Sequence, residues 1–324
     1  MVSKFDQGKV ALVFPGQGSQ VVGMGRELYD AFHAAREVFT EVDEALQQNL
    51  SKMMFHGDID ELTLTVNAQP AIMAVSVAVL RVILGQSGCS CIDSMCSIVA
   101  GHSLGEYTAL CAANAISLHN TAKLLRIRGK AMHDTLPTGK GGMLALLGTD
   151  IMIAEKVVND AKVFGKCDIA NDNGAGQVVL SGEVEAINRA EEVAVQYGSK
   201  KAIRLSVSSA FHSELMLPAQ PVLERALSEI DMQKPIVPIV SNYTAQATQD
   251  IGVIKLLLVH QISGRVRWRE SVLSMHQEHE VDTFVEIGPG KVLSGLAKKI
   301  IPTSITFNVG VISEMEAFLE FLSN

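Results

Sequence analysis

The chain has 324 residues, 48% of them hydrophobic, enough for one large domain or two smaller ones around a substantial core. Its formal net charge of −8 argues against wholesale binding to nucleic acid or to an anionic membrane surface, although an acidic protein can still dock on a local basic patch. The five cysteines are an odd set, which fits free thiols in a reducing cytoplasm better than a disulfide framework.

Near the N-terminus, Lys4 and Lys9 precede only the short apolar run Val10–Phe14. A secretory signal needs roughly 7–15 apolar residues, so none is expected. Val10–Phe14 reads instead as a short buried strand ending at Pro15-Gly16. The stretch from Val13 to Gln20 is glycine-rich, but it lacks the Gly-Lys-Ser/Thr ending of a phosphate loop. Placed after a strand, such a turn can offer backbone N–H groups as half of an oxyanion hole, with the N–H of Leu104 as the other half. Helical patterns follow at 24–50 and 68–84. The longest apolar segment, Ala71–Leu84, is too short for a bilayer and is expected to be a buried helix. Cys89, Cys91 and Cys96 cluster in a loop. With no fourth ligand at zinc-like spacing, they read as thiols rather than a metal site.

Residues 101–105 are Gly-His-Ser-Leu-Gly, the Gly-x-Ser-x-Gly pattern of a nucleophile elbow. A β-prone stretch, residues 97–100, comes before it and a helix-prone run, 104–115, comes after. This strand–turn–helix order is the context the motif requires. In an elbow, Ser103 stands in a strained conformation above a helix N-terminus, where free N–H groups favour developing negative charge. The pentapeptide alone fits a glycine-rich turn with a serine cap equally well. A further helix is expected at 119–134.

The pattern changes near Pro137-Thr138-Gly139. Strand 143–147, helix 150–162, strands 166–170 and 177–181, helix 183–197 and strand 201–207 give the βαββαβ order of a ferredoxin-like unit. A turn is expected at 171–176. The α/β texture then resumes, with strands at 236–241 and 283–287. The expected organisation is an α/β chain in which a small domain, 136–206, is inserted into a large one, 1–135 and 207–324, with a cleft between them.

A nucleophilic serine needs a base. His33, His56 and His119 have polar neighbours. His276 and His279 form a His-x-x-His pair that reads as a solvated helix face rather than a metal site. His102 points away from Ser103 along the strand and serves as elbow support. His212 follows the small residues Ser206 to Ala210 at the exit of the last small-domain strand, on the rim of the cleft. Its position alone fits a structural role as readily as a functional one. No aspartate lies where a triad acid would orient it, so the orienting acceptor must be something else, such as a backbone carbonyl. On helix 119–134, Arg126 has polar neighbours at helical spacing, whereas Arg128 has Leu124, Leu125 and Met132. An inward arginine needs an anion; a substrate carboxylate and an internal salt bridge both qualify.

Taken together, these motifs resemble the malonyl-CoA:acyl carrier protein transacylases of fatty-acid synthesis. The resemblance rests on Phe-Pro-Gly-Gln-Gly-Ser-Gln at 14–20, Gly-His-Ser-Leu-Gly-Glu-Tyr at 101–107 and Arg-Gly-Lys at 128–130. It continues with Asn173 and residues 176–182, Ala-Phe-His-Ser at 210–213, Gln261 ahead of Val-Arg-Trp at 266–268, and Glu-Ile-Gly-Pro-Gly-Lys-Val-Leu at 286–293. The resemblance implies an α/β-hydrolase-like large domain and a Ser103–His212 dyad, with the histidine oriented by a backbone carbonyl at Gln261. It also implies oxyanion donors at Gln17 and Leu104, a substrate-carboxylate partner in Arg128 and a substrate-binding Asn173. Malonyl-CoA and the phosphopantetheine thiol of acyl carrier protein would be the substrates, with no metal or other cofactor, in a cytoplasmic monomer. The chain departs from its relatives at Ser263-Gly264-Arg265, where a proline commonly stands before the valine; a looser loop around Gln261 is the expected result. A polyketide-synthase acyltransferase and a serine esterase are the alternative readings. Lys200 and Lys201 are candidate docking residues for the acidic carrier.

Overall fold

The computed structural model describes residues 9–137, 139–207 and 209–323, so Lys4, Thr138 and Ser208 lie outside the described residues. The described residues begin with β1 (Lys9–Phe14), and the elements α1 (Arg26–Ala31), α2 (His33–Leu46), α3 (Leu50–His56) and α4 (Ile59–Thr63) follow. The single helical stretch expected at 24–50 is therefore broken. Phe32 adopts an extended backbone between α1 and α2, and Gln47 ends α2 in the left-handed region. Next comes α5 (Thr65–Ser87), longer than expected at 23 residues. By length and composition it could cross a membrane, but 83% of its most apolar window is buried inside the fold. It is the central helix of the main core.

The elbow segment forms β2 (Ile98–Gly101) and α6 (Leu104–Ala112), and α7 (Leu118–Asp134) follows. Then come β3 (Gly141–Leu147), α8 (Ile151–Ala161), β4 (Cys167–Gly174), β5 (Gln177–Glu183), α9 (Val184–Ala194) and β6 (Lys201–Arg204). The remainder contains α10 (Gln220–Ser228), β7 (Ile239–Val240), β8 (Ala247–Thr248), α11 (Ile251–Gln261), α12 (Trp268–His279), β9 (Val281–Ile287), α13 (Val292–Ile300), β10 (Ile305–Val309) and α14 (Ile312–Ser323).

Two sheets result. The six-stranded sheet has the order β10-β9-β1-β2-β7-β8, parallel except for the β7–β8 pair. The four-stranded sheet, β4-β5-β3-β6, is antiparallel throughout. The first strand of the chain thus lies in the middle of the larger sheet. Side chains alternate along a strand, and β1 divides its residues accordingly. Val10, Leu12 and Phe14 enter the core built with α2, α5 and α7, while Ala11 and Val13 enter the opposite core with Trp268, Phe284 and Leu293. A strand buried on both faces has no polar alternation to show, which is why it reads as an unbroken apolar run.

The smaller sheet packs Leu144, Leu146, Val178 and Leu180 against α8 and α9 in a core of its own. Its β4 continues past the expected turn, through Asn171 to Gly174, with register shifts on either side of Asn171. The turn contracts to Ala175-Gly176, both at positive φ. The extension has a cause in the segment between α11 and α12. Val266 accepts from Asp172 N at 2.9 Å and donates to Ala170 O at 2.8 Å, a parallel bridge between the two layers. Arg269 adds an ion pair to Asp172 at 2.8 Å. Strand β6 ends earlier than expected, at Arg204.

The glycines of the elbow are required by close approach. A Cβ on Gly101 would lie 2.0 Å from the carbonyl carbon of Gly105, and one on Gly105 would lie 2.2 Å from Phe14 O. Both obstacles are backbone and cannot rotate away. Gly105→Ala should therefore lower the unfolding free energy by about 1–3 kcal/mol. Chemical denaturation measures it, and an unchanged midpoint would contradict the packing described.

Candidate active site

The tight turn from β2 into α6 places Ser103 at φ 54°, ψ −109°, outside the ordinary regions for a residue with a Cβ. Such strain persists only where the surroundings hold it, and here Asn242 does so. Asn242 Oδ1 accepts the Ser103 N–H at 2.6 Å, while its Nδ2 donates to Gly101 O at 2.7 Å. Asn242 follows β7, the neighbour of β2 in the sheet, so the sheet itself supplies the brace.

Ser103 Oγ lies 2.7 Å from His212 Nε2, joining residues 109 positions apart in the chain. On its other side, His212 Nδ1 lies 2.9 Å from Gln261 O and 3.2 Å from Gly264 O. Both acceptors are carbonyls, so Nδ1 carries the proton and Nε2 presents its lone pair to the serine hydroxyl. The loop is not loosened by Gly264. A Cβ there would lie 2.5 Å from the Tyr243 ring, and the Gly264 N–H donates to His260 O at 2.9 Å. The glycine lets the loop pack closely enough to bring a second carbonyl to His212.

Arg128 is 1% exposed and ends beside the same serine. Its Nη2 donates to Ser103 Oγ at 3.0 Å and to Gln261 Oε1 at 2.9 Å; its Nη1 donates to Gln69 Oε1 at 2.7 Å. These partners are neutral. The Nε has no hydrogen-bond partner among the described residues. Gln69 is held by Thr65 Oγ1 at 2.8 Å, and Thr65 in turn donates to Gln17 Oε1 at 2.9 Å. Arg126, two residues earlier on α7 and so on another face, is half-buried and spends its donors on Asn67 and Gln48.

A cavity of about 360 Å³ joins these groups. Gln17 and Leu104 line it together with Ser103, His212, Arg128 and Asn173. Leu104 opens α6, where the first-turn N–H groups have no intrahelical acceptor. Asn173 Oδ1 lies 2.9 Å from His102 Nε2. His102 thus faces β4 of the smaller sheet rather than the serine. His276, of the His-x-x-His pair, bonds to Val281 O at 2.7 Å, and no cluster of three or more His, Cys, Asp or Glu among the described residues is placed to hold a metal.

Residues 11–303 match the family model for an acyl transferase domain. A malonyl CoA-acyl carrier protein transacylase of Bacillus subtilis is 44% identical over 90% of each chain. The chain belongs to the malonyl CoA-acyl carrier protein transacylase family. Among solved structures, an acyl-carrier-protein S-malonyltransferase of Bartonella henselae is 49% identical, with a TM-score of 0.93 over 98% of this chain and 100% of that one. A malonyl-transacylase determined in complex with its type II polyketide-synthase acyl carrier protein is 36% identical, with a TM-score of 0.92 over 97% and 99% of the two chains.

Four residues of this family member's site escaped the sequence reading: Asn242, Glu106, Gln69 and Thr65. Each is polar and buried, at 5% exposure or less. Glu106 and Gln69 sit in helices whose neighbours are apolar, and that contrast was the available signal. Thr65 and Asn242 offered none.

Burial sets the electrostatics. Desolvation first, then Arg128 and His102, push the His212 pKa from 6.5 down to about 3. The folded value lies below the free one. Its stabilising contribution is therefore complete above pH 6.5 and is lost as pH falls toward 3. At neutral pH the imidazole is an unprotonated acceptor. Its ring ¹⁵N shifts should stay those of a neutral Nδ1–H tautomer from pH 8 down to pH 5. A titration midpoint near 6.5 would refute this.

Proposed function

We propose that this family member transfers the malonyl group of malonyl-CoA to the phosphopantetheine thiol of acyl carrier protein, through an ester on Ser103. The observation that carries the reading is the convergence of Ser103, His212 and Arg128 in one cavity. A serine–histidine pair supplies acyl-transfer chemistry, and a buried guanidinium beside the nucleophile selects an acyl group that ends in a carboxylate. The names of the relatives agree.

His212 Nε2 takes the proton of Ser103 Oγ as the oxygen attacks the thioester carbonyl. The carbonyls of Gln261 and Gly264 hold the imidazolium that forms. The Ser103 N–H is already committed to Asn242, which leaves Leu104 N–H and Gln17 N–H as oxyanion donors; one such donor is worth about 3–4 kcal/mol. His212 returns the proton to the departing CoA thiolate. The carrier thiol then gives its proton to His212 and attacks the ester; the acyl–Oγ bond breaks and His212 returns the proton to Ser103 Oγ. Arg128 pairs with the acyl carboxylate in both steps, and its unpartnered Nε supports that role. Asn173 lines the cavity as a further substrate contact. The chemistry requires neither a metal nor another cofactor.

We also read the large sheet as α/β-hydrolase-like and the insertion, 136–206, as ferredoxin-like. The βαββαβ order and the strand arrangement β4-β5-β3-β6 support the latter. Fatty-acid synthesis is the process served. Free thiols at all five cysteines support a reducing cytoplasm as the compartment. We read the working form as a monomer. The acidic carrier docks at Lys200 and Lys201, exposed at the edge of the smaller sheet.

Malonyl-CoA without carrier should add one malonyl unit to the Ser103 peptide by mass spectrometry, and carrier should then discharge it. Ser103→Ala should form no adduct and lose about 10⁶-fold in rate. Steady release of malonate with no adduct would show an esterase instead. Arg128→Ala should lose malonyl loading and gain relative acetyl loading, reversing a discrimination on the order of 10³; an intact malonyl preference would sink that assignment. Charge reversal at Lys200 and Lys201 should raise the KM for carrier and spare the CoA half-reaction. Equal effects on both halves would place the dock elsewhere.

A further inference from the structure

Glu106 lies on α6 at 2% exposure, and no step of the transfer uses it. A carboxylate in the core is costly unless it does something for its surroundings. Its Oε2 accepts from Asn242 N at 3.0 Å and from Gln261 Nε2 at 2.8 Å. Asn242 is the residue that braces Ser103. Gln261 Nε2 also donates to Ser103 O at 2.9 Å, and Gln261 Oε1 accepts from Arg128 Nη2 at 2.9 Å.

An amide side chain has a donor end and an acceptor end, and packing alone distinguishes them poorly. Glu106 Oε2, with two N–H groups directed at it, can only accept. It draws the nitrogen of Gln261 toward itself and leaves the oxygen for Arg128. With the amide reversed, Gln261 would aim N–H donors at a guanidinium that carries donors only. Arg128 would then lose an anchor next to the nucleophile. The charged neighbour of Glu106 is Arg128, whose attraction opposes the desolvation that raises the carboxyl to about 7. Tyr107 and His212 share the site but remain neutral, since burial raises the phenol pKa and lowers that of the imidazole.

We propose that Glu106 is a positioning residue that fixes the direction of the Gln261 amide, and so seats Arg128 for the acyl carboxylate, while bracing Ser103 through Asn242. The proposal rests on the transacylase reading above.

Glu106→Leu removes, at similar volume, the oxygen that accepts from both Asn242 N and Gln261 Nε2. The Gln261 amide then loses the anchor that holds its nitrogen away from Arg128. The readout is the ratio of kcat/KM for malonyl-CoA to that for acetyl-CoA, measured by Ser103 loading. This ratio does not depend on the fraction of protein that is folded, so a merely structural defect leaves it unchanged. We expect it to fall at least tenfold in Glu106→Leu. If that variant does not accumulate, Glu106→Asp answers by the same ratio, because its carboxylate is drawn back from Gln261 by one methylene and the ratio should again fall. A malonyl preference present in the wild type and kept in the variant overturns this inference alone. A wild type with no malonyl preference overturns the proposed function, and the inference with it.

Discussion

The structure depends on the backbone of one residue. Ser103 occupies a conformation that a side-chain-bearing residue avoids, and everything around it serves to hold it there. Glycines at 101 and 105 let the turn close against Phe14. Parallel pairing of β1 with β2 fixes the turn at the carboxyl edge of the larger sheet. The neighbouring strand is followed by Asn242, whose amide bridges the residues on either side of His102. Removing any of these would let the serine relax to an ordinary backbone and carry its hydroxyl away from His212.

The second theme is a cation kept in the core by neutral partners. Oxygens of Gln69, Gln261 and Ser103 take its hydrogen bonds, so desolvation is offset without a tight ion pair. A carboxylate in direct contact would neutralise the guanidinium and blunt its attraction for an acyl carboxylate. Glu106 lies one amide further out, close enough to be felt and screened from direct contact by Gln261. The site thus holds a charge that is stabilised but not consumed.

Much of this was legible in the sequence because local rules and chemistry coincided. The elbow announces itself through two glycines around a serine between a strand and a helix. Arg128 stands out because its helical neighbours are apolar, and the absence of a triad acid correctly turned attention to backbone acceptors. What remained hidden depended on contacts between distant segments. The extension of β4 through Asn171 to Gly174 looked like a turn because Asn, Asp and Gly favour turns. Pairing with Val266 overrode that preference, and nothing in the local sequence signals such a bridge. Gly264 looked like a source of slack, yet it is a point of tight contact with Tyr243. An internal acid for Arg128 was not apparent, because Glu106 acts through Gln261 rather than by touching the arginine.

The position of β1 has a consequence in time. Its neighbours in the sheet, β2 and β9, come from well-separated parts of the sequence, and β9 enters only at Val281–Ile287. Pairings between segments so far apart carry a large loop-closure cost and form late. The four-stranded sheet, by contrast, is drawn from one continuous stretch, 141–204, and can close as soon as that stretch is available. A growing chain would therefore carry a finished small layer beside an unfinished large one. The histidine acceptors at Gln261 and Gly264 belong to the same late portion. The dyad is thus complete only once that portion has joined the larger layer.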